Sequence, residues 1–135
     1  YRNAPVAKCF VKNFGFKKGA IASSVAHDSH NIIAVGADAA SICKAVNLVI
    51  QSTGGVSVVD ENKELVLALP VAGLMSTDDG YKVAEAYSNI DKAAKELGSA
   101  LAAPFMTLSF MALLVIPHLK LSDLGLFDGD QFRLI

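Results

Sequence analysis

The sequence predicts an α/β fold of the α+β type, a mixed β-sheet with helices packed on it in one domain over residues 1–135. Three observations lead there. Short runs rich in Ile and Val, at 20–25, 31–35 and 56–59, read as strands. Two longer segments repeat apolar residues at helical spacing instead. Hydrophobic residues make up 53% of the 135 positions and charged ones 19%, which supplies apolar surface for one core and argues against disorder.

The run 6–11, with Cys9 and Phe10, reads as a first strand, and a glycine-punctuated loop with Lys17 and Lys18 near its tip follows. The runs 20–25 and 31–35 are separated by the polar stretch Ala26-His27-Asp28-Ser29-His30. Asp38 is placed to cap a helix whose Ile42, Val46, Val49 and Ile50 fall on one face, with Gly54-Gly55 ending it. The arms 56–59 and 64–69 flank Asp60-Glu61-Asn62-Lys63 and form a hairpin, Leu65, Leu67 and Leu69 alternating toward the core. Ser76 and Asp79 resemble a capping box before a second helix with Val83, Tyr87, Ile90, Ala94 and Leu97 in a stripe and Gly98 as its stop. Pro104 opens a third, buried helix reaching Leu113, and a polar tail ends in a short strand at 132–135.

Twelve Lys and Arg against thirteen Asp and Glu give a net charge of -1, without the cationic excess expected of a nucleic-acid binder or of a protein drawn to acidic membranes. The apolar stretch 100–116 falls short of a spanning helix and is broken by Pro104, Thr107 and Ser109, so it reads as core or interface rather than membrane. Cys9 and Cys43 are too few for a disulfide framework and sit among apolar neighbours, which predicts buried thiols in a cytoplasmic protein. Without a start methionine before Tyr1, the chain reads as a piece of a longer polypeptide.

Reactive groups are dense in one place only, at His27, Asp28, Ser29, His30 and Asn31. Extended backbone would put His27 and Ser29 on one face and Asp28 and His30 on the other. A tight turn would bring His27 and His30 together, with Asp28 orienting one ring, an arrangement suited to substrate hydrogen bonding, proton transfer or an auxiliary metal held by His27, Asp28 and His30. The alternative is a turn whose polar side chains satisfy nearby backbone groups. Ser23 and Ser24 lack the elbow of a nucleophilic serine, and Gly54-Gly55 follows a helix rather than opening one, unlike a phosphate loop. Lys17-Lys18 offers an anion site or a solvated tip, His118 a solvated or locally bonded ring, and Met75, Met106 and Met111 core filler.

Lys18-Gly-Ala-Ile-Ala-Ser-Ser-Val-Ala-His-Asp-Ser-His-Asn-Ile-Ile-Ala-Val-Gly36 resembles a block of the C-terminal domain of adenine deaminases. So do Leu69-Pro-Val-Ala-Gly-Leu-Met-Ser76, Pro104-Phe-Met-Thr-Leu-Ser-Phe-Met-Ala-Leu113 with Ile116-Pro117, and the ending Leu119-Lys-Leu-Ser-Asp-Leu-Gly-Leu-Phe-Asp128. The blocks span nearly the whole chain in family order. The resemblance implies an amidohydrolase that converts adenine and water to hypoxanthine and ammonia, with manganese or iron in a (β/α)-barrel that this chain lacks. With three histidines and no His-x-His, the chain is expected to bind no such metal and to be inactive alone. The implied partners are adenine, the chain's own barrel domain and further copies in a homo-oligomer, with neither nucleic acid nor membrane. No catalytic residue is assigned here; the 27–31 loop is expected near the active-site mouth. The alternative is a non-catalytic scaffold or subunit-interface domain, with 100–116 as its apolar face.

Overall fold

The computed structural model describes residues 6–135. Its elements run β1 (Ala20–Ser23), β2 (Ile33–Gly36), α1 (Ala39–Gln51), β3 (Gly55–Val59), β4 (Glu64–Ala68), α2 (Gly80–Glu96), α3 (Pro104–Phe110), β5 (Leu119–Ser122), β6 (Gly125–Asp128) and β7 (Arg133–Leu134). A four-stranded sheet has the order β2-β1-β3-β4, and a second sheet has β5-β6-β7. The α/β class is as expected, but the mixed sheet is not: every pairing between these strands is antiparallel.

Strand alternation sorts the core into two layers. Ile21 of β1 and Val56 and Val58 of β3 pack with Ile90, Ala94 and Leu97 at the end of α2 and with Phe105 and Leu108 of α3. Ala20, Ala22 and Val59 face the other way, onto Ala45 and Val49 of α1. Ser57 lies on that second face, where its hydroxyl donates to the Ala45 carbonyl at 2.8 Å. The large sheet is therefore covered on both sides, and β1 is buried along its whole length.

Local signals explain the helix starts. The Asp38 carboxylate accepts from the Ser41 N–H at 2.8 Å and the Ser41 hydroxyl at 2.7 Å, and those bonds hold its pKa below the ordinary value. For α2 the cap is Asp79, which accepts from the Tyr81 and Lys82 N–H groups, while Ser76 only accepts from Asp78 N–H; the expected Ser76 capping box is replaced. The α1 stripe turns through Ala45 and Val49, leaving Ile50 57% exposed, because Ile50 falls beyond the arc that meets the sheet. Three ion pairs gather around the 60–63 hairpin tip: Lys18 with Asp60 at 3.3 Å, Lys44 with Glu64 at 2.6 Å and Lys63 with Glu96 at 3.4 Å.

Other expectations are corrected. The described run 6–11 forms no strand, since no neighbouring strand pairs with it, and Val6 and Phe10 are exposed. Cys9 and Cys43 are exposed free thiols, Cys43 on the outer side of α1. Of the methionines only Met111 packs on the core; Met75 and Met106 are exposed. Helix α3 stops at Phe110, short of Leu113, and its stretch buries Phe105, Leu108 and Ala112 while Val115 and Ile116 remain outside. No helix among the described residues is long and apolar enough to cross a membrane. The tail holds a small sheet rather than one strand, its β5–β6 turn closed by Ser122, whose hydroxyl donates to Gly125 O at 2.9 Å.

Candidate functional site

Strand β1 ends where its serines turn to other partners. The Ser23 hydroxyl accepts from Val25 N–H at 2.9 Å. The buried Ser24 hydroxyl accepts from Gly55 N–H at 2.8 Å and donates to the Gly73 carbonyl at 2.6 Å. Ser23 and Ser24 are thus structural, in line with the missing nucleophile elbow. The chain then enters a tight turn, closed by His30 N–H donating to Ala26 O at 2.7 Å, before β2 begins at Ile33.

The turn brings the two histidines together. Their ring centroids lie 6.1 Å apart in an edge-on arrangement. The half-buried His27 ring also packs on Phe110, the last residue of α3, at 5.2 Å with an interplanar angle of 38°. Asp28, Ser29 and His30 are exposed, and Ser29 donates to the Asn31 side-chain oxygen at 3.2 Å. Polar groups therefore line a rim, with one imidazole seated on an aromatic face.

Parts of the expected arrangement are missing. Among the described residues, no three His, Cys, Asp or Glu side chains are grouped to hold a metal ion, so His27, Asp28 and His30 are not a ligand set. No hydrogen bond joins Asp28 to either ring among the described residues. Two clefts, of about 370 and 700 Å³, lie instead between the 6–16 segment and β2; of the loop, only Asn31 reaches one of them. Lys18 is engaged by Asp60 rather than poised for an anion, and His118 bonds locally through Nδ1 to Asp130 at 2.6 Å.

Three sequence blocks separated along the chain meet at one end of the large sheet. Ser24, three residues before the 27–31 loop, is tied to the 69–76 turn through Gly73, and His27 packs on the 104–113 block through Phe110. Gly54 completes the junction: its φ is +120°, and a Cβ there would lie 2.3 Å from the Gly73 Cα. Sequence reasoning singled out neither Phe110 nor the Ser24 bridge. Phe110 read as one more apolar residue in a hydrophobic run, and only the fold puts it against the loop.

The family profile described as the adenine deaminase C-terminal domain matches residues 1–133. Adenine deaminase of Sulfurovum sp. (strain NBC37-1) is 60% identical over 136 residues, covering 100% of this chain and 26% of that protein. The Methanosarcina barkeri adenine deaminase is 54% identical over 100% of the chain and 24% of its own length, and that of Archaeoglobus fulgidus 50% over 99% and 24%. The chain thus spans about a quarter of the length of these relatives.

Proposed function

The chain belongs to the adenine deaminase C-terminal domain family, and from that we propose that it works within a longer enzyme that hydrolyses adenine to hypoxanthine and ammonia, its 27–31 loop standing at the mouth of the active site. The observation that carries the reading is the meeting of the 18–36, 69–76 and 104–113 blocks at one sheet end, through Ser24–Gly73 and His27–Phe110, beside which the polar 27–31 rim stands. A purine site needs a few well-placed hydrogen-bonding groups. His27, with its ring plane held, and Asn31, His30 and Asp28 at the rim are suited to meeting ring nitrogens or the departing ammonia.

In such an enzyme manganese or iron would supply a water activated for hydrolysis of the purine. The described residues of this chain do not fit that group, since no cluster of ligating side chains exists among them. The metal centre is assigned to the rest of the polypeptide, and this chain's contribution is binding, orientation and exclusion of water. The free thiols Cys9 and Cys43 suit a reducing, cytoplasmic setting. The exposed Met106, Val115 and Ile116 of the apolar stretch support a contact with another domain or a second copy.

The test is adenine turnover by the full-length enzyme carrying His27→Ala, with metal content and thermal stability measured alongside. The expected loss is several hundredfold, roughly 3–4 kcal/mol of transition-state stabilisation, with metal and fold intact. Near-normal turnover removes the loop from the chemistry and leaves the domain a scaffold.

A further inference from the structure

We propose that Phe110 is a positioning residue for the deamination reaction, acting through His27; this rests on the reading above that His27 faces the adenine site. Among the described residues the His27 ring has two aromatic neighbours. The His30 ring meets it edge-on at 6.1 Å from an exposed turn, and Phe110 lies across it at 5.2 Å. Of the two, only Phe110 stands on a helix anchored in the core, because its neighbours Leu108 and Ala112 are buried. Contact between aromatic rings favours offset and tilted arrangements, so a ring fixed from below restricts the tilt of the one above it. A substrate-facing imidazole displaced by an ångström or a few tens of degrees loses much of its effect on the reaction. Phe110 is also 40% exposed, so its ring stands at the surface beside the polar rim. Seating His27 gives that ring a role.

The role is specific to an aromatic face and to His27, and both can be read in the full-length enzyme. Phe110→Leu keeps much of the volume and removes the ring. It is expected to lower kcat/KM for adenine about tenfold, mainly in kcat, with unchanged metal content and melting temperature. Phe110→Tyr, which keeps the ring, is expected to restore turnover to within about twofold of the parent. In an enzyme already carrying His27→Ala, Phe110→Leu should add no further loss, since nothing is left to orient.

Each alternative result overturns the inference in its own way. If His27→Ala alone leaves turnover near normal, the reading on which the inference rests has failed. If His27→Ala is damaging but Phe110→Leu is harmless, His27 belongs to the site and Phe110 does not position it. An equal loss from Phe110→Leu with and without His27, or failure of Phe110→Tyr to restore turnover, shows that Phe110 acts by another route.

Discussion

Replacing Ser24 with alanine removes one oxygen that serves two distant backbone groups. The Gly55 N–H, buried at the start of β3, donates to it at 2.8 Å, and the hydroxyl proton goes to the Gly73 carbonyl at 2.6 Å. Alanine fills nearly the same space, so no sizeable cavity opens and the effect is one of hydrogen bonding. A buried donor left without a partner costs about 1–3 kcal/mol. For a chain of this length the melting temperature falls roughly 3.5 °C for each kcal/mol. Thermal unfolding of the chain followed by circular dichroism should therefore show a drop of about 4–10 °C for Ser24→Ala. Amide exchange at Gly73, Leu74 and Met75 should speed up as the turn loses its tether. The exposed Ser88, whose hydroxyl bonds its own helix at Ala84 O, supplies the control, and Ser88→Ala should stay within about 0.5 kcal/mol. A shift below about 1 °C for Ser24→Ala, with exchange in the turn unchanged, would refute the reasoning that one hydroxyl joins these segments.

The opposite sign is expected at Ser109, 3% exposed with a buried hydroxyl that has no partner among the described residues: Ser109→Ala should hold or raise stability by about 1 kcal/mol in denaturant titration. Gly54→Ala places a Cβ 2.3 Å from the Gly73 Cα at a φ of +120°, and should cost about 2–4 kcal/mol, visible as a lower denaturation midpoint. Backbone hydrogen bonds from Ser41 and from Asn62, the largest influences, lower the pKa of Asp38 and Asp60 respectively, so their stabilising effect is complete above the ordinary carboxylate value and disappears as pH falls through the lowered folded values. A pH titration of unfolding should show stability declining in that acid range, and the double variant Asp38→Asn, Asp60→Asn should flatten the decline.

Features written within a few residues were legible in the sequence. Asp38 caps α1 through a residue three positions on, and the 64–68 arm announces its hairpin by alternation, because both depend on neighbours along the chain. Run 6–11 has the same β-prone chemistry as β2 yet forms no strand among the described residues, since strand formation requires a partner that periodicity cannot name. The small C-terminal sheet was missed because Ser122-Asp-Leu-Gly125 offers a turn without strong alternation on either side; Leu121 N–H bonding to Met111 O at 3.0 Å helps fix its place, a contact from outside the segment. At the candidate site, the meeting of His27 and His30 was one of two options open to the sequence, and the backbone bond from His30 to Ala26 selects it. Phe110 was invisible in that role, since its distance from His27 is short only in space.

The two ends of the large sheet are held by forces that respond differently to the solvent. Exposed ion pairs gather at the 60–63 tip, and added salt screens attractions of that kind over a Debye length of about 8 Å at physiological ionic strength and shorter above it. At the loop end the Ser24 hydroxyl bonds buried backbone groups, where dissolved ions do not reach. Concentrated salt should therefore loosen the hairpin tip while leaving the Ser24 junction, and the loop and turn it joins, in place. The domain can meet changes in ionic strength at the end farther from the candidate chemistry.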